Sequence, residues 1–141
     1  MTLRDAPEAG VVRRWRLPVW VWWIPVVVGL SLPVFGFTPH PQWQRVHLVP
    51  FTDPDDKPRD ELVNIAMYVP FGYLYARRRR MPQLLLGVVL WSAVVSVGAE
   101  ATQLFSIERN PSATDVSMGV VGSVAGALLA RWRRAPFEPP R

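Results

Sequence analysis

The chain has 141 residues, half of them apolar, which fits one domain and no more. It holds no cysteine, so disulfides, thiolate metal sites and a cysteine nucleophile are excluded. The net charge of +5 invites a nucleic-acid reading, but the basic residues cluster beside apolar runs instead of forming one face, so no nucleic-acid partner is expected.

In chain order, residues 1–16 form a basic cytoplasmic tail carrying Arg4, Arg13, Arg14 and Arg16. Residues 17–37 carry no charge, and about 18 or more such residues can cross about 30 Å of hydrocarbon. A first span is expected over about 18–37, kinked by Pro25 and Pro33, with Trp15, Trp20, Trp22 and Trp23 at its inner end where indoles favour the headgroups. The run is too long for a signal-peptide core and lacks an Ala-x-Ala pattern, which makes it an uncleaved anchor. The outer connection 38–61 is rich in proline and in acid (Asp53, Asp55, Asp56, Asp60, Glu61), and its length points to a function.

A second span, about 60–76, contains Asn64 and Pro70 and ends at Arg77 to Arg80, the signature of a short cytoplasmic loop. A third, about 82–107, includes the charge-free run 81–99; an outer turn near 106–113 leads to a fourth, about 113–132. The tail 133–141 returns to the cytoplasm with Arg133, Arg134 and Arg141. The apolar runs 62–76 and 116–130 are ambiguous alone, but their position between the other spans and the arginine clusters decides them. The expected fold is an all-α membrane protein, a bundle of four transmembrane helices over 17–132 with both termini inside.

Helix four carries Gly119, Gly122, Ser123 and Gly126 at small-xxx-small spacing, which lets helix backbones approach closely in lipid. The expected partner is helix three or one; the alternative is a homo-oligomer seam. The same topology collects Asn64, Glu100, Gln103, Arg109 and Asp115 at the external face, with His47 in the loop above. Polar groups at membrane depth need a reason. Glu100 and Gln103 share a helix face, and one Arg109 could serve both Glu100 and Asp115. Each also has a plainer reading: Ser112-Ala113-Thr114-Asp115 fits a capping box, and Asn64 and Gln103 can bond between helices. His40 and His47 lack ligand spacing, so no metal site is expected, and no nucleotide or cofactor fingerprint occurs.

At these residues the chain resembles the VanZ-like membrane proteins, a family named for a teicoplanin-resistance accessory protein. The matching pieces are Leu48-Val49-Pro50-Phe51, Asn64-Ile65, Val69-Pro70-Phe71-Gly72, Glu100-x-x-Gln103, Arg109, and Asp115-Val116 followed by Gly122 and Gly126. Two positions depart from it: Gly119 stands where the family usually has asparagine, and Ser112 where an acidic residue is common. The resemblance implies a multi-pass protein of the bacterial cytoplasmic membrane and lowered sensitivity to lipoglycopeptides. Read with the polar cluster, it implies an envelope ligand at the outer leaflet, a lipid-linked wall precursor or a lipoglycopeptide. The alternatives are a structural protein with an interhelical polar network and an intramembrane enzyme with Glu100 or Asp115 as general base; whether it is an enzyme stays open.

Overall fold

The sequence folds into helices wherever apolar runs are not interrupted by proline pairs. The computed structural model describes residues 17–32, 36–52, 57–77 and 83–134, and among these there are four α-helices and no β-strand. They are α1 (Ile24–Ser31), α2 (Pro58–Ala76), α3 (Gln83–Gln103) and α4 (Ala113–Trp132). The tails 1–16 and 135–141, Pro33, the acidic Asp53, Asp55 and Asp56, and Arg78 to Arg80 lie outside the described residues.

The first helix is shorter than the expected 18–37. A five-residue 3-10 turn, Val19–Trp23, leads into the eight residues of α1. Pro25 does not kink it: it sits in the first turn of α1, where its missing N–H leaves no bond unmade. Leu32 is extended (φ −63°, ψ 136°), as a residue before proline must be. Turn and helix together reach about 22 Å, short of the ~30 Å hydrocarbon layer. Trp20, expected at the headgroups, is instead buried against Phe71, Tyr75 and Trp91 at ring-centroid distances of 5.7, 5.2 and 5.4 Å. The Trp23 indole donates to Met67 O at 3.0 Å, joining α1 to α2, while Trp22 is exposed.

The N-terminus of α2 is set by Pro58 at its first turn and by Asp60 and Glu61, whose charges face the positive helix end. The helix continues through Pro70. Its Arg59, Asp60 and Glu61 leave, among the described residues, two helices, α3 and α4, long and apolar enough to cross a membrane. The third helix stops at Gln103, four residues before the expected 107, because the backbone of 104–107 bonds to the outer loop instead.

The clearest sign of the solvent this fold is made for is the polarity of α3. Its buried face carries Ser92, Ser96, Glu100 and Gln103, whereas Leu86, Leu90, Val94 and Val97 are more than half exposed. A water-soluble helix has the opposite arrangement. An apolar exterior over a polar interior supports a membrane protein.

Small residues on α4 pack against α2, not against helix three or one as the spacing suggested. A Cβ at Gly122 would fall on Ile65 O, and one at Gly126 on Val69 O; reciprocally, one at Gly72 would fall on Ser123 O. Gly119 alone also faces α3, where a Cβ would lie 3.0 Å from Ser96 Oγ and 3.1 Å from the Tyr68 ring. The contacts at Gly72, Gly122 and Gly126 bring backbone to backbone, and no rotamer change relieves them. Gly126→Leu should therefore destabilise the protein by about 3 kcal/mol or prevent folding, whereas Leu128→Ala, on the exposed face, should be tolerated. Thermal unfolding in detergent compares the two, and equal tolerance would show that α2 and α4 do not pack this way.

Candidate functional site: a polar cavity beside the α3–α4 turn

The site is built on the turn between α3 and α4. Glu100 is 9% exposed, and burial of a carboxylate must be compensated. Its Oε2 accepts the Ser112 N–H at 2.9 Å and its Oε1 accepts Gln103 Nε2 at 3.3 Å. Ser112 is the N-cap of α4, its Oγ accepting from Thr114 N at 3.1 Å. In a capping box the N-cap N–H turns to the carboxylate three residues on. Here Glu100 takes that N–H from the neighbouring helix, at the positive end of α4. Ser112 thus caps α4 through its second amide and not through the expected box, and Asp115 lines a cavity beside it.

The outer loop is stitched to this turn by its backbone. Thr38 N donates to Phe105 O, Gln42 N to Leu104 O and Ile107 N to Gly36 O, each at 2.9 Å. Further on, His47 N donates to Pro111 O and His47 O accepts from Ala113 N, at 2.9 and 2.8 Å. Gly36 has φ +71°, and a Cβ there would strike Ile107, so this position needs glycine. Phe51 also has positive φ, 62°, costly for an aromatic residue; its N–H is held by Thr114 Oγ1 at 2.8 Å. Arg45 closes the stitching: one guanidinium nitrogen donates to Gln42 Oε1, Ser106 O and Ile107 O at 2.9, 3.2 and 2.8 Å.

Beneath the loop lies a polar cavity of about 230 Å³ between the N-terminal ends of α2 and α4 and the C-terminal end of α3. Asn64, Gln103, Arg109 and Asp115 line it, so four of the five polar residues singled out in the sequence are brought together. Glu100 is not among them. It lines a separate apolar groove of about 490 Å³, formed by Trp43, Leu48, Val97, Leu104 and Val116. The Glu100–Gln103 hydrogen bond and the segment Asn110-Pro111-Ser112 form the wall between the two spaces. The cavity also holds Arg45, Lys57, Asp60, Glu61, Glu108 and Asn110. Of these Arg45 left a readable signal, as the one charged residue in 38–52.

A family model described as VanZ/LLP1 matches residues 17–134. The chain belongs to the VanZ/LLP1 family. No curated protein and no solved structure matches it.

Within this VanZ/LLP1 chain the shared pieces have distinct jobs. Leu48 to Phe51 lie in the stitched loop, Gly72 meets α4, and Asn64, Gln103, Arg109 and Asp115 surround the cavity. At Gly119, where the resembling proteins usually carry asparagine, Ser96 and the Tyr68 ring fill the space a side chain would need. Deeper in the bundle, Ser92, Ser96, Glu100 and Gln103 follow one another at i, i+4, i+8 and i+11 on the buried face of α3. The Tyr68 hydroxyl and Ser123 Oγ are buried with no hydrogen-bond partner among the described residues. Among the described residues no group of three or more metal-ligating side chains is placed to hold an ion.

Two expectations follow. Glu100→Leu strands the Ser112 N–H and should cost about 2–3 kcal/mol, whereas Glu100→Gln keeps an acceptor and should cost about 1 kcal/mol. Unfolding in detergent measures both, and equal effects would remove the hydrogen bond as the cause. Arg45→Met should loosen the loop selectively, raising amide hydrogen exchange over 36–48 and 104–109 while leaving the middle of α4 protected.

Proposed function

We propose that the chain is a four-span protein of the bacterial cytoplasmic membrane, with both termini inside, and that its outer-face cavity binds the headgroup of an outer-leaflet amphiphile. The four-span path rests on the inside arginine clusters and the inside-out polarity of α3. The first helix enters this path as a short apolar segment, Val19–Ser31. The observation that carries the ligand reading is the cavity itself, with Arg45, Lys57 and Arg109 around a space of about 230 Å³. That volume lies below the ~300–1,000 Å³ of pockets for drug-sized molecules, so it suits a headgroup and not a whole lipoglycopeptide. Any change in lipoglycopeptide sensitivity would then be indirect, through the envelope lipid or lipid-linked precursor held here. Glu100 serves structure in this reading, which is the part of the interhelical-network alternative that its bonds to Ser112 and Gln103 favour.

The absence of cysteine makes topology simple to test: single cysteines at Asp55 and Arg79 should react with impermeant thiol reagents only from outside and only from inside, respectively. The reverse pattern would defeat the outer-face reading. For binding, delipidated protein is titrated with phosphatidylglycerol and phosphatidylethanolamine and read by native mass spectrometry. Arg109→Ala combined with Lys57→Ala should lower one-to-one lipid adducts by at least fivefold. If the adducts are unchanged for every lipid, the cavity is not the binding site and the structural reading remains.

A further inference from the structure

The loop between α1 and α2 carries an apolar surface that the fold itself leaves uncovered. Trp43, Leu48, Val49 and Phe51 are each more than 60% exposed. The backbone beneath them is held, so they do not fold back on one another. Gln42 N donates to Leu104 O, His47 N to Pro111 O and Phe51 N to Thr114 Oγ1, and His47 O accepts from Ala113 N. Phe51 is the sharpest case. It keeps a φ of 62°, costly for an aromatic residue, yet its ring stays mostly outside the packing. A fixed apolar patch of this kind marks a contact with something outside the chain.

Three features identify that contact as lipid. The patch continues a surface already read as lipid-facing. Trp43, Val46 and Leu48 line the groove of about 490 Å³ together with Val97, Leu104 and Val116. Val97 in turn follows Leu90 and Val94 on the exposed apolar face of α3, so the loop extends that face past the helix end. Next, the charge that would resist immersion is withdrawn. Arg45 is the one charged residue in 43–51; it is half-buried, and its guanidinium donates to Gln42 Oε1, Ser106 O and Ile107 O. Last, much of the segment's backbone is already bonded, which lowers the cost of taking it out of water. The N–H groups of Arg45, Val46, His47 and Phe51 have acceptors, and the carbonyls of Trp43, His47 and Val49 have donors. We propose that residues 43–51 are seated in the outer leaflet, at the boundary of headgroups and hydrocarbon, and that lipid chains cover Trp43, Leu48, Val49 and Phe51. An indole and aliphatic side chains on a bonded backbone suit that depth. The proposal rests on the membrane reading of α3 and is independent of what the cavity binds.

The absence of cysteine allows nitroxide labels to be placed singly. Leu48→Cys and Val49→Cys are labelled in the full chain, in liposomes of phosphatidylethanolamine and phosphatidylglycerol. Leu90→Cys serves as the lipid-facing reference and Lys57→Cys as the aqueous one. Power-saturation electron paramagnetic resonance compares collision with oxygen, which concentrates in hydrocarbon, and with a water-soluble nickel chelate. The oxygen-to-nickel ratio at Leu48 and Val49 should exceed that at Lys57 by at least threefold, toward the Leu90 value. A ratio equal to that at Lys57, with Leu90 still high, overturns the proposal and leaves an aqueous loop. Low collision with both reagents overturns it too, since a protein surface then covers the patch. A Leu90 ratio no higher than that at Lys57 overturns it together with the membrane reading of α3. A measurement without labels stands beside these. Lipids brominated on their acyl chains should quench the Trp43 emission, taken as wild type minus Trp43→Phe, and an unquenched Trp43 overturns the proposal whatever the labels report.

Discussion

The half of the molecule that holds the cavity depends on one hydrogen bond, from the Ser112 N–H to Glu100 Oε2. A carboxylate cannot be buried without donors, and the first amides of a helix are the donors a folded chain has to spare. Placing Glu100 on the N-terminus of α4 satisfies both ends at once and fixes where α3 ends relative to where α4 begins. The turn between them then becomes a rigid edge to which residues 36–51 bond. Arg45 completes that edge by donating to two of its carbonyls. The cavity exists because this loop is held over it instead of moving freely.

The inner half depends on closeness. Lipid supplies no hydrophobic drive between helices, so α2 and α4 gain contact by bringing backbones together at Gly72, Gly122 and Gly126. Toward the outer face the small residues give way to Val63 and Asn64 on α2 and Asp115 on α4, and there the cavity opens. Packing and site are parts of one gradient of side-chain size along the same pair of helices.

What could be read from the sequence follows from which interactions are local. The positions of α2, α3 and α4 were legible because charge-free runs and proline signals act within a few residues. The close partner of the α4 glycines was not, since spacing identifies a packing face but not its neighbour. The length of α1 was overestimated because apolar composition does not show that Leu32 turns extended before Pro33. Four of the five polar residues line one cavity, because each sits at or beside a helix end or turn on the same side of the bundle. Glu100, singled out as a ligand or network group, bonds Gln103 on its own helix and a backbone amide 12 residues on, and only the first could be read, since backbone donors leave no mark in a sequence.

The charge balance across the proposed topology carries the ligand argument one step further. The cytoplasmic side has twelve basic residues and three acidic ones, Asp5, Glu8 and Glu138, whereas the outer side has four basic residues and eight acidic ones. Loosely held anionic lipid is attracted to the inner face and repelled by the outer one, each charge contributing on the order of 1 kcal/mol near a membrane surface. A cation site set within a net-negative outer surface therefore gains little from long-range attraction of anions, which is screened within about 8 Å at physiological ionic strength. It selects by what its lining residues meet at contact distance. Salt should on this account weaken binding of a lipid headgroup only slightly, since the groups meet inside the cavity and not through the field above it. A steep loss of binding between 50 and 200 mM salt, a range on the order of that used to reveal counterion release, would instead show that surface attraction of an anion dominates.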